Sequence, residues 1–251
     1  MRPHFRVASL ALTSLLTVVS MRASDAAVSP IPTATQQLLL VHAASWTAAW
    51  GVLERYERDG ANAWKLVSSP IPVNIGRSGM AWGRGLHAMP SAGPRKTEGD
   101  GKSPAGVFPL AQAFGIAAQL PVEALGFPYL HTEPTTYCVE DLRSEHYNQI
   151  VDATEVHRSS WEKWSELKRP DGLFDWGLVV AQNQPDTVRG AGSCVFLHIW
   201  RGPHVPTAGC TAMPREQIEV VLRWLDPSKQ PVLVQLPDVE LELVRSAWAL
   251  P

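Results

Sequence analysis

The sequence predicts a mainly β domain of the β-rich α+β class. Apolar runs of strand length recur along the chain, clusters of Gly, Pro, Asn and Asp separate them, and helical periodicity is confined to a few short stretches. Leu38 to His42 is a compact apolar run. Trp50, Val52, Glu54 and Tyr56 then alternate with Gly51, Leu53, Arg55 and Glu57 before the turn Asp59-Gly60, and Trp64 to Val67 completes a hairpin. Further strand-like runs lie at Gly106 to Leu110, Thr136 to Val139, Trp176 to Gln182, Cys194 to Trp200 and Pro231 to Leu236. Helices are read at Ser160 to Lys168, capped by Ser159 or Ser160, and at Val239 to Trp248. A third runs from Pro214 to Leu225, with proline at its first position and Glu216 in its first turn.

With 251 residues, 45% hydrophobic and 18% charged, the chain has the material for one core. Its first residues are basic at Arg2 and Arg6, apolar from Val7 to Met21, and small at Ala23, Ser24, Ala26 and Ala27. That order is a secretory signal peptide over residues 1–26. Spanning a bilayer takes about 20 apolar residues, and this run is shorter and broken by Thr13, Ser14, Thr17 and Ser20. The mature protein therefore has no membrane span and is exported, with a Pro- and Thr-rich linker at 27–36 and a single domain at 37–251. A formal net charge of −2, with no basic run interleaved with aromatics, excludes nucleic acid as a partner. The sequence carries no signal of oligomeric state.

Cys138, Cys194 and Cys210 make an odd count for an oxidising compartment. Cys138 and Cys194 fall in strand-like runs, and Cys210 falls in a glycine-containing loop, so we expect a Cys138–Cys194 disulfide with Cys210 free. The densest chemical signal surrounds that loop. A strand ends at His198, a Gly- and Pro-containing loop follows, and Ala208-Gly209-Cys210 precedes the helix expected at Pro214. Helix N–H groups would favour the Cys210 thiolate, and His198 would take the thiol proton to form an ion couple. Gly209 would let successive amides face an oxyanion. A lone cysteine is more often a small buried hydrophobe, and a lone histidine a half-buried strand residue. Their combination with an unpaired thiol in an exported chain favours chemistry.

This stretch resembles the signature of the YkuD-type L,D-transpeptidase catalytic domain: a His, a spacer, Ser or Thr, usually His, then Gly-Cys, with Arg or Asn two positions later. His198, Thr207, Gly209 and Cys210 match, and Gly99 to Phe108 is similar to an upstream block of that family. The likeness runs from about Gly76 to Leu236 and is strongest to exported proteins with Gly-Cys-Thr-Ala-Met at the nucleophile. It implies mixed β-sheets in a sandwich-like core with a few short helices. It also implies a periplasmic or wall-associated enzyme of peptidoglycan biosynthesis, a cysteine acyltransferase whose partners are stem peptides. Cys210 would form a thioester with a stem tetrapeptide and pass it to an amine, and the Ile199 carbonyl would orient His198. Water as acceptor would make the same site a carboxypeptidase or endopeptidase. A noncatalytic wall-binding module is the other alternative.

Ala208 and Ala212 depart from the pattern, standing where the family has His and Arg or Asn. With that basic residue gone, Arg201 is the first candidate to steer the substrate carboxylate and Arg84 the second, with Thr207 beside the substrate. Tyr147 either donates to the oxyanion or substrate or packs a loop onto the sheet. Ser78 to His87 is glycine-rich but lacks a P-loop ending, and reads as a loop near the cleft. The histidines show no ligand spacing, so neither metal nor cofactor is expected. His204 is the rival base, on an exposed loop, and Trp200 is assigned to packing.

Overall fold

A computed structural model describes residues 29–60, 63–67, 69–117, 127–156 and 161–251. In chain order its strands are β1 Gln37–Ala43, β2 Trp50–Glu57, β3 Lys65–Leu66, β4 Ile71–Asn74, β5 Met80–Trp82, β6 Ser103–Gly115 and β7 Tyr129–His131. They continue as β8 Thr136–Val139, β9 Ile150–Asp152, β10 Trp164–Glu166, β11 Trp176–Val180, β12 Phe196–Ile199, β13 Thr211–Met213 and β14 Val232–Pro237. Helix α1 spans Arg215–Trp224 and α2 spans Asp238–Val244. Strand far outweighs helix, as expected for a β-rich α+β fold with mixed sheets.

The main sheet runs β1-β14-β6-β11-β12-β13-β4-β2-β3, and β1 also pairs with β2, so the ladder closes on itself. Enclosure explains the sequence of β1: Leu38, Leu39, Leu40 and Val41 are buried because β14 lies parallel on one edge, β2 antiparallel on the other, and protein covers both faces. Burying each such side chain contributes about 1.5–3 kcal/mol. Strand β6 is the spine, its first half pairing with β14 and β5 and its second half with β11 and β7. Helix α1 turns Ile218, Val221 and Leu222 inward at helical spacing and packs behind β11 and β12. It thereby backs the strand that carries His198.

A second sheet, β10-β8-β9, lies beside the first. The Cys138–Cys194 disulfide staples β8 to the segment that leads into β12.

Several expectations change: Met80–Trp82, within the Gly-rich segment read as a loop, is strand β5, and the last helix ends at Val244. Residues 164–166, read as helix, are strand β10, antiparallel to β8. A short isolated helix is marginal, whereas β8 offers a ladder edge and Tyr137 meets Trp164 edge to face at 6.4 Å. The capping positions 159 and 160 lie outside the described residues, as do the signal peptide and residues 27 and 28 of the linker. From Ser29 on, the segment read as linker is packed: Ile31 is in the core, and Ser29 Oγ donates to Trp248 O at 2.7 Å. None of the described helices is long and apolar enough to cross a membrane.

Candidate active site

The parallel pairing of β12 with β13 builds the site. Leu197 aligns with Thr211 and His198 with Ala212, which brings the residue before β13, Cys210, level with Phe196. Cys210 and His198 line one cavity of about 530 Å³. Cys210 is the free cysteine, half-buried against the cluster that holds Cys138 and Cys194.

His198 is fixed from two sides. Its Nδ1 lies 2.7 Å from the Ile199 carbonyl, a geometry that places the Nδ1 proton on that oxygen and leaves Nε2 with its lone pair. The edge of Phe174 meets the ring at 4.9 Å, and Phe174 carries the Arg169 guanidinium at 5.2 Å from its centroid. Close approach at Gly177, paired with His198, makes room for this aromatic cluster: a Cβ there would sit 2.2 Å from Phe114 Cζ.

The sulfur is held elsewhere than expected. Cys210 Sγ accepts from Phe196 N–H at 3.4 Å and donates to Cys194 O at 3.6 Å, and no hydrogen bond joins it to His198 among the described residues. The strand offset explains this, because His198 sits two residues beyond Phe196 along β12, roughly 6–7 Å. Burial pushes the Cys210 thiol up to about 11, outweighing the Phe196 N–H, which pulls it down. Burial also pushes His198 down to about 4. The expected ion couple is therefore corrected: at neutral pH both partners are uncharged. Nor does α1 reach the sulfur, since the three residues of β13 separate Cys210 from α1.

Thr207 ties the Cys210 loop together. Its Oγ1 donates to Cys210 O at 2.6 Å and accepts from Gly209 N at 3.1 Å, while Ser103 Oγ donates to the same Cys210 O at 3.0 Å. The Gly209 amide is thus spent inside the loop and is not an oxyanion donor. Gly209 is needed for its backbone instead, with φ of 153° and a would-be Cβ 3.0 Å from Lys102 O. The amides of Ala208 and Cys210 have no hydrogen-bond partner among the described residues.

Of the other expected residues, Arg201 and Thr207 line the cavity. Arg201 is well exposed and reaches Asp171 at 3.5 Å. Arg84 does not line it: its side chain is exposed and its carbonyl accepts from Asn183 N at 2.7 Å. Tyr147 is buried outside the lining, and its hydroxyl donates to Glu98 Oε2 at 2.7 Å, so it positions Glu98 and donates to no oxyanion. His204 is exposed, edge-on to Trp50 at 5.2 Å. Trp200, assigned to packing, lines the cavity because it lies two residues past His198, on the same side of the chain.

Sequence reasoning missed six charged residues of the lining, Arg77, Lys96, Glu98, Glu140, Lys163 and Arg169. Lys96 is buried and paired with Asp100 at 2.6 Å, beside the Cys210 loop. Arg169 is held by Asp171 through two contacts of 2.9 and 2.6 Å, and Glu98 accepts from both Tyr147 and Ser193. No motif marks them, because each lies far in sequence from Cys210. Among the described residues no cluster of three His, Cys, Asp or Glu side chains could hold a metal ion.

Residues 53–234 match the YkuD family, described as the L,D-transpeptidase catalytic domain. No curated protein matches the chain.

Proposed function

Since the chain belongs to the L,D-transpeptidase catalytic domain family, we propose that it is an exported cysteine acyltransferase acting on peptidoglycan stem peptides. The observation that carries this reading is the free Cys210 sharing one cavity with His198, whose tautomer the Ile199 carbonyl selects. Cys210 attacks the carbonyl joining an L-centre to a terminal D-residue. Because the resting thiol and imidazole are neutral, the proton moves to His198 Nε2 as the sulfur bonds to carbon, after Cys210 turns off Cys194 O.

The amides of Cys210 and Ala208 stabilise the oxyanion, His198 protonates the departing amine, and a thioester remains. An amine from a second stem then attacks the thioester, returning the sulfur to the thiol. Ala212 leaves the cavity wall without a cation two positions after Cys210. Arg201 and Arg169, at the His198 end of the same cavity, supply the positive charge for the substrate carboxylate. The signal peptide at 1–26 delivers the domain to the wall.

The test is incubation of the mature protein with defined tetrapeptide muropeptides, followed by mass spectrometry of enzyme and product. We expect an acyl mass on Cys210 and cross-linked dimers, with both lost in Cys210→Ala and His198→Ala. Trimmed tripeptides without dimers would assign water as the acceptor. An unmodified enzyme with unchanged muropeptides would leave a binding module.

A further inference from the structure

The segment from Ser193 to Phe196 supplies both hydrogen bonds of the Cys210 sulfur, and it is pinned more firmly than a connecting loop requires. Ser193 Oγ donates to Glu98 Oε2 at 2.7 Å. Cys194 adopts a left-handed backbone, φ 53°, a conformation costly for a cysteine. Two links hold it there: its N–H donates to Asn148 Oδ1 at 3.0 Å, and its sulfur is bonded to Cys138 of β8. Asn148 is itself buried and locked, its amide group donating to Gln182 O and Asn183 O, both at 3.1 Å.

From this fixed residue the chain directs the Cys194 carbonyl at the Cys210 thiol and, two residues on, the Phe196 N–H at the same sulfur. We propose that the Cys138–Cys194 disulfide and Asn148 are positioning elements for Cys210, holding the 194–196 segment as a two-point cradle that fixes the sulfur and shields its inner side from water. The proposal deepens the reading of Cys210 as nucleophile, yet its test reads the sulfur directly and needs no wall substrate. The charged groups around the sulfur are Glu140, Lys96 and Arg169, and the variants below leave all three intact.

The experiment compares the full chain with Cys138→Ala/Cys194→Ala, measuring the rate of Cys210 alkylation by iodoacetamide from pH 6 to 11, with near-ultraviolet circular dichroism reporting the fold. Opening the cradle loses the Phe196 N–H bond, which favours the thiolate, but also admits water; because burial outweighs that bond, the alkylation profile moves down by one to two pH units. At pH 7 the thiolate fraction rises about a hundredfold for a two-unit shift, and the weaker nucleophilicity of the more acidic thiol returns nearly tenfold of it. The net expectation is alkylation about tenfold faster. A staple serving stability alone would lower the unfolding midpoint and leave this profile where it was. An unchanged profile in the folded double variant overturns the proposal. Asn148→Ala keeps the disulfide and removes the acceptor of Cys194 N–H, so it is read in the same way if the double variant does not fold. A profile shifted in either variant with no acyl-enzyme in the parent would sustain the cradle and reject the transpeptidase reading.

Discussion

The neutral resting pair makes a quantitative prediction for the parent protein. Burial raises the Cys210 thiol from 9.0 to about 11, so about one sulfur in ten thousand is thiolate at pH 7, against about one in a hundred for the unfolded chain. The thiolate of a weaker acid is the better nucleophile, with a Brønsted slope of about 0.4–0.5, which restores nearly tenfold over two pH units. Iodoacetamide should therefore modify native Cys210 about tenfold more slowly than the urea-unfolded chain at pH 7. The native rate should climb tenfold per pH unit up to about pH 10, because ionisation is incomplete below the raised value. Intact-mass spectrometry over a pH series measures this on one residue, since the other two cysteines are bonded to each other. A rate that is flat from pH 6 to 9 would mean a preformed thiolate and imidazolium, and the argument from burial would be wrong.

Other outcomes follow from the same contacts. Thr207→Val removes the hydroxyl that bridges Cys210 O and Gly209 N. At about 1 kcal/mol for each hydrogen bond, kcat should fall ten- to a hundredfold while Thr207→Ser stays near the parent, as steady-state kinetics on muropeptides would record. Gly177→Ala places a methyl 2.2 Å from Phe114, and the overpacking should cost about 1–3 kcal/mol in urea unfolding. His87 and His198 are both held near 4, below the 6.5 of the unfolded chain, so the unfolded state binds more protons between those values. Stability should be complete above pH 6.5 and lost as pH falls toward 4, by roughly 2–3 kcal/mol for each histidine at pH 4.5. Urea midpoints that coincide at pH 7 and 4.5 would contradict neutral burial.

Much of the fold is legible because enclosed strands write themselves as apolar runs. β1 and β14 contain almost nothing but buried side chains, and α1 announces itself with Pro214 and an inward triad. The elements missed are those whose strand state depends on a neighbour. β4, β5, β7, β9 and β13 have three or four residues and no period of their own, and the sequence of β10 reads as helix because only the edge of β8 makes it a strand. Local sequence specifies a short strand poorly when the ladder that stabilises it comes from far away in the chain.

The site divides along the same line. Cys210, Gly209, Thr207 and His198 could be read together because a single loop and its flanking strands carry them, so their sequence separation is short. Protonation state could not be read, since the pKa of a thiol depends on everything packed around it. Proximity to α1 suggested an acidified cysteine, but β13 intervenes and burial decides the sign. Arg84 and Tyr147 failed for the reverse reason: each has suitable chemistry, yet one projects into solvent and the other is committed to Glu98. The residues that replace them in the cavity, Lys96, Arg169 and Glu98, are neutral signals in sequence because their partners Asp100, Asp171, Tyr147 and Ser193 come together only on folding. A thiol raised this far by its surroundings is suited to reacting only after a carbonyl has arrived to receive the sulfur and an imidazole its proton, which keeps it slow toward other electrophiles.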